Sequence, residues 1–126
     1  MTPIHCVNEF IAAIEQRDVD HAISFLHDEI SYENMPMSPI VGRQAVADVL
    51  NGFLAPAREV QWVVSRQWAV DDVVINERLD RFKLGSGWLE LPVAGFFHVV
   101  DDRITLWRDY FDLSSYMNQF NALTND

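Results

Sequence analysis

Apolar positions recur at helical spacing through the first part of the chain and at every second residue through the rest. Ile4, Val7, Phe10, Ile11 and Ile14 fall on one face of a helix predicted over residues 3 to 16, with Pro3 in its first turn. Asp18 caps a second helix, on which Val19, Ala22, Ile23 and Leu26 share a stripe. Residues 29 to 35 predict a short strand that stops at Pro36. After a loop from Pro36 to Gly42, a third helix presents Ala45, Val46, Val49, Leu50 and Phe53 as its apolar face.

From residue 60 the period is two. Val60, Trp62, Val64, Trp68 and Val70 are expected on one side of a strand interrupted at Arg66, and Asp71 with Asp72 turns the chain into a strand over residues 73 to 84. Gly85, Ser86 and Gly87 predict a hairpin tip. The long strand after it, Trp88 to Val100, is expected to break or bulge near Pro92 and Gly95. Asp101 and Asp102 turn it into a last strand, Ile104 to Phe111, and Ser114 or Ser115 caps a short helix carrying Tyr116, Phe120 and Leu123. Helices first and a mostly antiparallel sheet second give an α+β fold, in which a sheet covered by helices on one face curves into a cone open to ligand.

Three polar clusters interrupt the strand pattern: Tyr32 with Asn34, Arg78 with Asp80, and Asp109 between Trp107 and Phe111. Side chains two apart on a strand share a face. Buried polar groups are costly unless they satisfy one another, so the three clusters are expected to meet in one pocket. One Arg cannot fully neutralise two carboxylates. If both aspartates contact Arg78, the group carries a net negative charge or keeps a proton, which makes one carboxyl an acid beside a base. Keeping that proton at neutral pH takes a shift of about three units from ~3.9, or ~4 kcal/mol. Tyr32, Asn34 and Asp109 together offer several hydrogen bonds to one water. A buried ion-pair network that only fixes the fold is the competing reading of the same residues.

Composition narrows the partners. The 126 residues suit one domain, 1 to 126, and a 49% hydrophobic content with five Gly and five Pro argues for an ordered core. Asp and Glu outnumber Lys and Arg by 19 to 9, and the net charge of −10 repels phosphate backbones, so no nucleic-acid partner is expected. Cys6, alone, permits no internal disulfide, reads as a small apolar residue of the first helix and fits a reducing compartment. Met1 to Phe10 lacks signal-peptide character, and no stretch approaches the ~20 apolar residues that span a bilayer, so a cytoplasmic protein without a membrane partner is expected.

His5, His21, His27 and His98 show no paired metal-ligand spacing; only His98, sharing a face with Phe96, stands near the pocket, and neither metal nor cofactor is expected. Arg108 must face away from Asp109, and with Tyr110 it reads as an outer-face or dimer contact. Trp62, Trp68, Trp88, Trp107, Met35 and Met37 read as core with a few lining the cavity, and Glu9, Glu15 and Asp20 as a solvated helix face.

The runs Tyr32-Glu33-Asn34-Met35-Pro36, Arg78-Leu79-Asp80 and Trp107-Arg108-Asp109-Tyr110-Phe111-Asp112 resemble, in order and approximate spacing, the limonene-1,2-epoxide hydrolase family, through nearly the whole chain. The resemblance implies a curved α+β barrel of the nuclear-transport-factor-2-like (SnoaL-like) type, usually a homodimer, that hydrates a small epoxide to a vicinal diol without metal or covalent intermediate. It implies Asp109 as the base that activates water, Tyr32 and Asn34 as that water's other holders, Asp80 as the acid at the epoxide oxygen, and Arg78 as the bridge that returns the proton. The chain begins almost directly at its first helix, without the lead-in of some relatives, so part of the usual pocket wall or dimer contact is expected to be missing. Rival readings on the same fold are an isomerase or cyclase resembling ketosteroid isomerase or polyketide cyclases, and a binding module that holds an apolar ligand without catalysis.

Overall fold

The computed structural model describes residues 1–124. The chain runs α1 (Pro3–Glu15), α2 (Val19–Ile23), β1 (Leu26–Met35), β2 (Ile40–Val41), α3 (Arg43–Leu54), β3 (Glu59–Val70), β4 (Val73–Leu84), β5 (Gly87–Val100), β6 (Arg103–Tyr110) and α4 (Leu113–Thr124). All six strands form one sheet in the order β2-β1-β6-β5-β4-β3. The pair β1 and β6 is parallel and every other pair is antiparallel. The fold is α+β as expected. The sheet curves but does not close, so the cone is an open one rather than a complete barrel.

Helix α1 lies on the concave face because its inward stripe is wholly apolar: Cys6, Val7, Phe10, Ile11, Ala13 and Ile14 are all buried. Full burial of an Ile or Phe of this kind contributes roughly 1.5–3 kcal/mol. Phe10 meets Trp107 edge-on at 5.0 Å between ring centroids, which seats the helix against β6. Glu15, expected in solvent, instead accepts a hydrogen bond from the Trp62 backbone N–H at 2.9 Å and ties the end of α1 to β3. Gly42, at φ 99°, makes the turn from β2 into α3 that a side chain would strain.

Several elements differ from the periodicity. α2 ends at Ile23, and Leu26 already opens β1. The register of β3 against β4 shifts between Val64 and Arg66, which reverses the inward phase. Trp68 and Val70 therefore lie exposed on the outer face instead of joining Trp62. β5 neither breaks nor bulges at Pro92 and Gly95, for its pairing with β4 is continuous from Gly87 to His98. Pro92 is tolerated where β5 has lost β6 as a neighbour, since their pairing starts only at Ala94. The cap of α4 is Asp112, whose Oδ1 accepts from the Ser114 N–H at 3.0 Å, and not either serine. Among the described residues no helix is long and apolar enough to cross a membrane.

Candidate active site

Sheet register builds the site as two adjacent rungs across the concave face. One rung is aromatic: Tyr32 lies opposite Trp107, and Trp107 opposite Phe97. Their rings stack with centroids 3.7 Å and 6.1 Å apart. Two residues along, the second rung is polar, running Asn34, Asp109, Gly95, Asn76, Gln67 from β1 to β3. The parallel pairing of β1 with β6 is what brings Asn34 beside Asp109.

Arg78 stands on β4 one step further, opposite Val93 and Val64, and its guanidinium joins the carboxylates. Nε donates to Asp80 Oδ1 at 2.9 Å and Nη2 to Asp80 Oδ2 at 3.0 Å, a two-pronged pair. Nη2 also donates to Asp109 Oδ2 at 2.9 Å, so one nitrogen touches both acids. Nη1 donates to Asn76 Oδ1 at 3.1 Å. The Trp107 indole Nε1 donates to Asp109 Oδ1 at 3.0 Å and fixes that carboxylate from the other side. The guanidinium carbon lies 4.9 Å from the Trp62 ring centroid and 5.8 Å from that of Phe97. Arg78, Asp80, Asp109 and Asn76 are all buried.

Burial decides the protonation of this group. It pushes the Asp80 carboxyl up to about 6; Arg78 opposes that shift, while Asp109 and Glu15 add to it. Arg78 pays for its burial with partners: desolvation works against its charge, but Asp109 and Asp80 outweigh that and raise its pKa. Burial, reinforced by the Asp109 charge, holds the Tyr32 phenol neutral, with its pKa well above the usual value. Asp80 thus stands close to the point of keeping a proton at neutral pH, under a guanidinium that stays charged.

A cavity of about 260 Å³ opens over the cluster. Tyr32, Asn34, Asp80 and Asp109 reach its floor, and Trp62, Phe53, Phe82, Leu91 and Val93 form its apolar walls. Phe111, Met37 and the α4 residues Leu113, Tyr116 and Met117 line the remaining side. Helix α4 is clipped to β5 by Gln119: its Oε1 accepts from the Glu90 N–H at 2.8 Å and its Nε2 donates to the Glu90 carbonyl at 2.9 Å.

The five residues singled out in sequence, Tyr32, Asn34, Arg78, Asp80 and Asp109, come together here. Trp62 and Met37 line the cavity; Trp107 lies under it as core; Trp88 lies beneath Arg81. His98 faces the side opposite Phe97 and Trp107 and does not reach the cavity. Arg108 also points outward, pairing with Glu33 at 2.8 Å, while Tyr110 packs on Phe96. The sequence does not single out Asn76 or the Trp107 N–H, both of which belong to the cluster. Asn76 precedes Arg78 by two on the same strand, so the alternation that paired Arg78 with Asp80 points to it equally. Among the described residues no three His, Cys, Asp or Glu side chains are grouped to hold a metal ion.

The chain is similar to known proteins along most of its length. Residues 1–122 match the family described as the limonene-1,2-epoxide hydrolase catalytic domain. Epoxide hydrolase EphG of Mycobacterium tuberculosis is 36% identical over 108 residues, which cover 85% of this chain and 71% of that protein. The structure of an M. tuberculosis LEH-like epoxide hydrolase superposes with a TM-score of 0.81 at 33% identity, covering 92% of this chain and 82% of the other. A SnoaL-like protein from Shewanella putrefaciens superposes with a TM-score of 0.82 over 95% of this chain and 96% of its own, and at 14% identity shares the fold alone.

Proposed function

The chain belongs to the limonene-1,2-epoxide hydrolase family and is an epoxide hydrolase of that type, and we propose that it adds water to a small, apolar alicyclic or aliphatic epoxide in one general acid/base step. The observation that carries the mechanism is Arg78 Nη2 donating to Asp80 and Asp109 at once, with both acids lining one apolar cavity. At about 260 Å³ the cavity falls just below the usual range for ligand sites, roughly 300–1,000 Å³, which suits a small substrate.

A water held by Asp109, Tyr32 and Asn34 gives its proton to the Asp109 carboxylate as its oxygen attacks a ring carbon. The carbon–oxygen bond on the opposite face breaks, and the departing oxygen takes the Asp80 proton. The product is a vicinal diol, inverted at the attacked carbon. Opening the strained ring still expels a poor leaving group, so the acid and base terms, each worth roughly 10²–10⁴ in rate, must act together. Turnover leaves the proton on Asp109 and the charge on Asp80. Arg78 Nη2 reverses this by taking one proton as it gives another, and stays charged throughout.

Exposed Val63, Trp68, Val70 and Tyr110 on the outer face support a homodimer, which light scattering on the eluting peak tests. The reaction is tested with a panel of cyclic and linear epoxides and chiral chromatography of the diols, with Asp109→Asn as the blank. Diol formed by the wild type and lost in a folded Asp109→Asn variant is the expected result. A ligand retained without turnover, or a ketone exchanging deuterium, would replace it with one of the rival readings.

A further inference from the structure

We propose that Asn76 is a positioning residue for the reaction: its carbonyl holds the Arg78 guanidinium in the orientation that reaches both carboxylates, and Gln67 with Asn8 holds Asn76 in turn. This rests on the reading of Arg78, Asp80 and Asp109 as the reacting cluster. Asn76 is 0% exposed and does not line the cavity, so it acts only through Arg78. The guanidinium is a planar fork with five N–H donors. Nε and Nη2 serve the two carboxylates, and Nη1 is left with the Asn76 carbonyl at 3.1 Å. An acceptor at the far corner of the plane fixes its rotation.

The amide is fixed from behind. Its Nδ2 donates to Gln67 Oε1 at 3.0 Å, and Gln67 Nε2 donates to Asn8 Oδ1 on α1 at 2.8 Å. Each step consumes the donor end of one amide at the acceptor end of the next, so a flipped Asn76 would set donor against donor at Arg78. The register shift in β3 matters here, since it puts Gln67 opposite Asn76 and leaves Arg66 outside, paired with Glu77 at 3.4 Å. An unshifted strand would bring a second guanidinium to the rung.

The choice of an amide also follows from charge. Around Arg78 and Asp80 stand Asp109 from β6, Glu15 from α1 and the neutral Tyr32 from β1. A neutral acceptor orients the guanidinium without adding a further negative charge, whereas Asp at this position would compete for Arg78 and repel the ionised form of Asp80.

The test compares Asn76→Leu and Asn76→Asp with Asp80→Asn and Asp109→Asn, reading turnover of cyclohexene oxide and the titration of the Asp80 carboxyl by NMR, which needs no substrate. Asn76→Leu should lower kcat roughly tenfold to a hundredfold, as small displacements of catalytic groups do, with KM unchanged. Asn76→Asp should move both the alkaline limb of kcat/KM and the Asp80 titration to higher pH. In Asn76→Leu, which adds no charge, a guanidinium no longer held on Asp80 should also move the Asp80 titration to higher pH; purely structural packing would lower the melting temperature without moving it. Wild-type kcat or an unmoved Asp80 titration in folded Asn76→Leu overturns the proposal, as does an unmoved Asp80 titration in Asn76→Asp, which decides alone if Asn76→Leu does not fold. If both aspartate variants keep turnover, the reading of the cluster fails instead.

Discussion

Arg78 occupies the space that a side chain at Gly95 would take. A Cβ built at Gly95 would overlap Arg78 Nη1 and come within 2.9 Å of Asn76 Oδ1 and 3.0 Å of Asp109 Oδ1. The glycine is therefore a gap in the polar rung through which the guanidinium crosses from β4 to Asp109. Its backbone is not in the left-handed region, so nothing but this space calls for glycine.

Gly95→Ala is accordingly a probe of the site rather than of the strand. It should cost about 1–3 kcal/mol of stability, the usual penalty of overpacking, and lower kcat well beyond that loss. Thermal melting and steady-state rates on the same preparation check it. Unchanged kcat would mean that Arg78 need not sit where it does.

Removing the charge tests the cluster's electrostatics. Arg78→Met leaves two buried carboxylates without a counter-charge and should cost about 3–5 kcal/mol at neutral pH. The cost should shrink as the pH falls, because protons then neutralise the carboxyls in its place. Urea unfolding at neutral and acid pH measures this. Arg78→Lys should keep more stability but little activity, since an ammonium cannot donate in one plane to two acids.

The pH dependence follows from Asp80. Its folded-state pKa, raised to about 6 by burial, means that the native state holds a proton the unfolded chain has already lost. Over the interval between the ordinary Asp value and 6, its contribution to stability falls as pH rises. Activity follows the same direction, for the acid must be protonated: kcat/KM should drop about tenfold for each unit above about 6. A profile flat from about pH 5 to about pH 8 would count against a protonated Asp80 as the acid.

Much of this site was legible because strands alternate. Arg78 with Asp80 and Tyr32 with Asn34 can be assigned to common faces from spacing alone. Pairing between distant strands leaves no local trace, so nothing in residues 26–35 announces that β1 runs parallel to β6 and sets Asn34 against Asp109. Ser65, Arg66 and Gln67 are polar on either face, which hides the register shift that turns Trp68 outward. Gly95 read as a bend because a glycine in a strand says that something approaches closely without saying what.

The remaining question is whether water or a carboxylate attacks carbon. In the covalent route an aspartate forms an ester that is then hydrolysed, so both routes need an acid and loss of activity in Asp109→Asn cannot separate them. The geometry favours water, because Asp109 is held at one oxygen by the Trp107 N–H and at the other by Arg78, which steadies a base but hinders a nucleophile that must move onto carbon. A single turnover with excess enzyme in ¹⁸O-labelled water should put the label in the diol and leave the protein unlabelled. An ester route would instead deliver an unlabelled carboxylate oxygen to the first product and leave ¹⁸O in the peptide containing Asp109 or Asp80. Mass spectrometry of diol and digest reads both, and label in either aspartate would refute direct hydration.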